Sequence, residues 1–311
     1  MSKTDPIVAV ASGKGGTGKT TVSINLALSL LKKPALGKTD SGTQEASQGH
    51  SNSPNSVRLL DTDVEEPNDH LFLDISVSKT LPAGIEVPVV DEQRCTACRE
   101  CSSFCEYNAL AVIKDKAIVF PELCHGCGGC EALCPEHAME EAFRKTGEGH
   151  IGHFGALDGI WGELQVGDAM APPVIRAVKK HTASEGLTLI DCPPGTSCPV
   201  IAAMQGVDFV LLVTEPTPFG LSDLKLAVAT VRELGLPMGV VVNRADLGDD
   251  STWAFCRKEK IPILMEIPHD LRIARAYSRG VPSVEEIPEL RAAYRNLYER
   301  ILAGLGEEVD R

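Results

Sequence analysis

The 311-residue sequence predicts an α/β chain: a doubly wound, mostly parallel sheet interrupted by a small α+β guest. Three observations carry that expectation. Short apolar, β-rich runs recur at 7–11, 57–61, 187–191, 208–213, 238–243 and 262–267, and helical stretches separate most of them, notably 199–205, 220–235 and 269–278. A glycine-rich loop joins the first run to an apolar helix through Ile24, Leu26, Leu28 and Leu31. Between the second and third runs, eight cysteines form two copies of one pattern, offset by a constant 29 residues.

The loop comes first in the chain. Gly13 to Thr20 fit G-x-x-x-x-G-K-[ST] in the strand–loop–helix context that motif needs. Its glycines allow backbone N–H groups to point at phosphate oxygens, and the helix N-terminus adds partial positive charge. Gly13, Gly15, Gly16, Thr17, Gly18, Lys19, Thr20 and Thr21 are therefore expected to hold the phosphates of ATP or ADP. Lys19 should reach the β- and γ-phosphates, and the Thr20 hydroxyl should bind Mg²⁺. The stretch 34–56 holds three apolar side chains (Ala35, Leu36, Ala46), too few to repay its ordering entropy, and reads as a disordered surface loop. Further on, Pro216 and Pro218 precede the 220–235 helix and Gly235 closes it, the usual asymmetry of start and stop.

The guest spans roughly 91–144, dividing the phosphate-binding domain into 1–90 and 145–311. Cys95, Cys98, Cys101 and Cys105 read C-x2-C-x2-C-x3-C, and Cys124, Cys127, Cys130 and Cys134 repeat it. Each [4Fe–4S] cluster needs four thiolates, and in runs of this spacing the fourth cysteine ligates the other cluster. This gives one cluster on Cys95, Cys98, Cys101 and Cys134, and a second on Cys105, Cys124, Cys127 and Cys130. The fold expected for such a guest is the small bacterial-type ferredoxin. Paired zinc sites or disulfides compete, but leave the third cysteine gap and the strict repeat without a purpose. Glu106 stands where the pattern usually has proline. Between the two runs, Ala109 to Phe120 alternates apolar and charged residues around Lys114-Asp115-Lys116, which suggests a hairpin. The glycines of 145–172 suggest a mobile return to the sheet. His150 and His153 lack a third ligand and read as loop residues.

Bulk properties narrow the setting. Eleven cysteines without a secretory signal imply a reducing cytoplasm. A net charge of −13 opposes non-specific attraction to nucleic acid or anionic lipid, and no apolar run approaches a membrane span. The acidic C-terminus lacks the basic amphipathic helix that membrane cycling uses.

The run Lys14-Gly15-Gly16-Thr17-Gly18-Lys19-Thr20 resembles the deviant phosphate loop of the MinD/ParA/nitrogenase-iron-protein ATPases. The resemblance implies that Lys14 crosses a dimer interface to the partner's ATP, in a homodimer or a heterodimer with a paralogous ATPase. Asp61-Thr62-Asp63 resembles switch I, whose second aspartate, here Asp63, positions the attacking water. Asp191 to Gly195 resembles switch II, implying that Asp191 reaches Mg²⁺ through water and that Gly195 senses the γ-phosphate. Val240 to Arg244 resembles the strand whose asparagine, here Asn243, contacts adenine. Asp63 to Asn68, Pro193 to Pro199 and Thr214 to Thr217 resemble a subgroup carrying a ferredoxin module between the switches. The nitrogenase iron protein has a cluster ligand seven residues after its switch II aspartate, as Cys198 is after Asp191. A bridging cluster on Cys198 would need a second ligand, for which Cys192 is the one candidate. Cys256 reads as a structural residue on a surface helix.

The resulting expectation is a Mg-dependent ATPase with built-in clusters, serving a redox or metal-cofactor protein. Three readings stay open: an ATP-gated electron carrier, an Mrp-type cluster-assembly carrier, and a redox-sensing positioning switch.

Overall fold

The structure is a computed structural model that describes residues 5–31 and 54–308. Of the 34–56 segment only residues 54–56 are described, so that expectation lies outside them. β1 (Ile7–Ala11) feeds the glycine loop and α1 (Lys19–Leu30). β2 (Val57–Asp61) leads to a one-turn helix, α2 (Asp69–Phe72), and a long β3 (Ser76–Val90). The cysteine-bearing segment follows, with α3 (Glu100–Phe104), β4 (Leu110–Ile113), β5 (Lys116–Val119) and α4 (Gly129–Leu133). β6 (Met139–Phe154) and β7 (Leu157–Leu164) then enter α5 (Ala171–Lys179). The remainder alternates: β8 (Leu187–Asp191), α6 (Cys198–Met204), β9 (Phe209–Thr214), α7 (Pro218–Glu233), β10 (Met238–Asn243), α8 (Ser251–Glu259), β11 (Ile263–Ile267) and α9 (Leu271–Ser278). α10 (Ser283–Glu286) and α11 (Pro288–Glu308) complete it.

The main sheet has nine strands in the order β11-β10-β9-β1-β8-β2-β7-β6-β3. The first seven in that order run parallel, whereas β6 is antiparallel to β7 and β3 antiparallel to β6. Side-chain alternation builds a core on each face. Val8 and Val10 of β1 point to the side covered by α1 and α11, with Tyr294, Leu297 and Ile301. Ala9 and Ala11 point to the opposite side, covered by α5, α6 and α7 through Val174, Ala203 and Val228. α1 is buried almost throughout, which fixes the loop at its N-terminus.

Three strands went unread in the sequence: β3, β6 and β7. The segment expected as a mobile return is instead sheet, and its glycines serve close approach. A Cβ on Gly147 would sit 2.3 Å from the Glu163 carbonyl oxygen, and one on Gly162 within 3 Å of Val64, Val174 and Val178. Pro82 and Pro88 are tolerated in β3 because it is the sheet's edge strand. Beyond the sheet, β3 and β6 continue as a two-stranded ribbon pairing Val90 with Met139, and the cysteine lobe sits at its tip. Within the lobe, β4 and β5 form the expected hairpin, closed by Lys114 and Asp115 with Lys114 at φ 57°.

Candidate functional site

The glycine loop leaves the C-terminal end of β1, where an open α/β sheet presents its crevice. Gly16 and Gly18 adopt φ of 77° and 96°, and Gly18 caps α1. Gly13 permits close packing on α7, since a Cβ there would lie 2.2 Å from the Asp223 carbonyl oxygen. A cavity of about 470 Å³ opens over the loop, lined by Gly15, Gly16, Gly18, Lys19, Thr20 and Thr21, with Asp63, Asn68 and Asn243 across from them. Lys19 is buried and Lys14 partly exposed.

Asp191, at the end of β8, accepts hydrogen bonds from Thr20 Oγ1 (2.6 Å) and Ser23 Oγ (3.0 Å). Thr62 Oγ1 donates to the Asp191 carbonyl (2.7 Å), joining the segments that follow β2 and β8. Gly195, at φ 96°, donates its N–H to the Ser12 carbonyl, which ties the segment after β8 to the loop. The Asn243 amide donates to the Thr17 carbonyl at 2.8 Å, so Asn243 braces the loop from the cavity's far wall. Arg244 beside it pairs with Glu215 at 2.7 Å.

Asp61 accepts three backbone N–H bonds, from Asp63 (2.9 Å), Asn68 (2.8 Å) and Asp69 (3.1 Å). Burial, then the neighbouring Asp191, pushes the Asp61 carboxyl up to about 8. Burial also lifts Asp63 to about 6 against the pull of Lys19, and raises Asp191 against Lys19, Thr20 and Ser23. Asp69 is the residue that sequence reading missed: its carboxyl is buried and lies beside Asp61 and Asp191. An acid at the start of a helix is ordinary, so its position carried no signal. The oxygen-rich set suits Mg²⁺, and the buried side-chain oxygens of Thr17 (Oγ1), Asn68 (Oδ1) and Asp69 lack hydrogen-bond partners, as a site shaped for a cation and phosphates would leave them.

The eight cysteines of the lobe are all free thiols. Cys105, Cys124, Cys127 and Cys130 line one cavity of about 210 Å³. Cys95, Cys98, Cys101 and Cys134 line a second, of about 10 Å³. This is the crossed grouping read from the spacing. Backbone N–H groups of Ala109, Gly126 and Ala138 donate to the sulfurs of Cys105, Cys124 and Cys134 at 3.2–3.4 Å, the bonds that thiolates ligating a cluster would keep. Burial pushes the Cys130 thiol up to about 11. Soft donors in fours fit iron–sulfur clusters. The lobe's apolar cores are small, four buried residues in one and three in the other, and cysteines supply part of each.

Cys198 is exposed at the first position of α6, whereas Cys192 is fully buried in the core with its thiol raised by burial. Cys192 cannot supply the second ligand considered for a bridging cluster. Cys256 also faces inward rather than out. His150 belongs to β6: its ring stacks on Trp161 and bonds Thr80 at 3.0 Å. His153 lies 2.9 Å from Asp158. Among the described residues no helix is long and apolar enough to cross a membrane.

Comparison with known proteins matches this geometry. The profile of the CobQ/CobB/MinD/ParA nucleotide binding domain covers residues 8–284. An uncharacterized protein of Methanocaldococcus jannaschii is 31% identical over 285 residues, 88% of this chain and 90% of the relative. An iron-sulfur cluster carrier protein of the same organism is 24% identical over 325 residues, 97% of this chain and 86% of that one. The septum site-determining protein MinD of Pyrococcus horikoshii, solved with Mg-ADP, shares the fold at 20% identity and a TM-score of 0.53, covering 99% of this chain and 96% of its own. The chain belongs to the MinD/ParA/Mrp-type P-loop ATPases.

Proposed function

We propose that this chain is an iron–sulfur ATPase that binds Mg-ATP at the glycine loop and couples nucleotide state to two [4Fe–4S] clusters in the lobe. One observation carries the coupling. The segment after Asp63 runs from cavity to ribbon without a break: Asp61 holds the backbone of Asn68 and Asp69, and the next residue, His70, stacks on Trp161 at 4.9 Å and 11°. A second ring, His150 on β6, also stacks on Trp161, and β6 is the strand that carries the cysteine lobe. A shift of switch I on loss of the γ-phosphate therefore moves a ring packed against the lobe's support.

At the cavity, Lys19 holds the β- and γ-phosphates, and Lys14, from the partner subunit, adds charge where the leaving phosphate develops it. Asp63 orients water by accepting a hydrogen bond from it. Thr20, with Asp191 behind it, would hold Mg²⁺, which supplies charge neutralisation when bound. The four-cysteine sets would hold the clusters, which supply one-electron chemistry to a redox or metal-cofactor protein.

A second reading is cluster delivery, favoured by the exposed thiol of Cys198 beside switch II and by the likeness to a cluster carrier. ATP-stimulated transfer of iron–sulfur clusters to an apo-acceptor would select it. ATP-dependent potentials without iron loss would select electron transfer.

Hydrolysis assays on the reconstituted chain test the core of the proposal. Lys14→Ala and Asp63→Ala should cut turnover on the order of a hundredfold or more while ATP still binds, and Lys19→Ala should abolish binding as well. Specific activity should rise with protein concentration. Wild-type turnover by monomeric Lys14→Ala protein would contradict the sandwich dimer.

A further inference from the structure

We propose that Asp69 completes, with Asp61 and Asp191, a divalent-cation site that fills before nucleotide binds; this extends the ATP-site reading given above. One oxygen from each carboxylate lies within 4.8 Å of the other two, and all three residues are buried. Two of the three are already held in place. Asp61 is fixed by its three backbone N–H bonds, and Asp191 by the hydroxyls of Thr20 and Ser23. Asp69 differs: it is 2% exposed, yet neither carboxylate oxygen has a hydrogen-bond partner. The side-chain oxygen of Asn68, which lines the nucleotide cavity, is likewise unpartnered.

An unpartnered buried carboxylate is costly, and beside two others it needs a proton or a cation. Lys19 is the cation that acts on all of Asp63, Asp69 and Asp191, one ammonium against several carboxylates. Hard, anionic oxygen donors select Mg²⁺ or Mn²⁺ over softer metals. The consequence is that metal can occupy the site ahead of nucleotide and stay when the nucleotide leaves, while nucleotide binding itself does not require it.

Mn²⁺ titration followed by EPR, on the nucleotide-free reconstituted chain with its clusters oxidised, tests this. Wild type should take up one Mn²⁺ per chain, and Asp69→Asn, matched in size, should bind it about tenfold or more weakly. ATP binding measured in EDTA should stay the same in both, which separates this result from the fate of the ATPase reading. Should Asp69→Asn fail to fold by circular dichroism, a Trp253→Phe protein gives a second readout, since Mn²⁺ at this site should quench Trp161, which stacks on His70. Absence of Mn²⁺ uptake by wild type without nucleotide, equal uptake by Asp69→Asn, or unquenched Trp161 would overturn the proposal.

Discussion

The two cysteine repeats share a spacing but not a backbone chemistry. Each places three residues in the left-handed region, at equivalent positions 29 apart: Ala97, Arg99 and Asn108 in the first, Gly126, Gly128 and His137 in the second. The first repeat uses side-chain-bearing residues where the second uses glycine twice, at a cost of about 1–2 kcal/mol for each. The second repeat surrounds an open cavity and the first a tight one. Gly129 leaves room for the Phe104 ring, which a Cβ there would meet at 2.1 Å. Even the turn after the fourth cysteine is shared: Asn108 and His137 each donate to the preceding cysteine's carbonyl at 3.1 Å, so Glu106 closes it as Pro135 does. The shared cysteine spacing goes with a shared backbone, and the residues at its left-handed positions decide how much strain it stores.

The comparison is broken most directly by crossing the ligands. Cys105→Ser should remove the cluster of the second run and Cys134→Ser that of the first, each halving iron content from about eight to about four per chain. Loss of the first run's EPR signature in Cys105→Ser would refute the crossed assignment. Gly126→Ala should be next in size. Its Cβ enters a left-handed position 3.0 Å from Ile85 Cβ, so chelator-driven cluster loss should show the lobe weaker by about 2 kcal/mol. The reverse change, Ala97→Gly, should stabilise by about 0.5–1 kcal/mol, because relief of strain exceeds the added freedom of the unfolded chain. No gain would mean the first repeat is not strained.

The nucleotide end supplies the contrast, because acid should touch it alone. Asp63 is lifted to about 6 by burial, and only its ionised form carries the charge that polarises the attacking water and can take its proton. Hydrolysis should therefore fall as pH drops through about 6, roughly tenfold per unit below it, while cluster absorbance holds. A flat profile down to pH 5 would show that Asp63 does not carry this role.

The sequence disclosed what obeys a local rule. β1, the glycine loop and α1 announce themselves by an apolar, β-rich run, by an apolar helix and by a motif in which Gly13, Gly16 and Gly18 each have a steric or backbone reason. The hairpin at Lys114-Asp115 was legible in the same way. The β3–β6 ribbon was not, because Pro82 and Pro88 fit a strand only at a sheet edge, which no local window reveals, and Gly147 and Gly162 read as flexible until their neighbours are seen. Asp69 was hidden for a related reason: its burial comes from β2, β8 and α1 meeting around it, which no window of sequence contains. His150 looked like a loop residue and is instead a stacked ring in a strand.

The coupling of nucleotide to clusters is tested most directly by EPR-monitored redox titration of the reduced clusters with and without Mg-ATP, in wild type and Lys19→Ala. The account expects ATP to shift the midpoint or line shape of at least one cluster in wild type and neither in Lys19→Ala. Identical titrations in a wild-type protein shown to be saturated with ATP would contradict it.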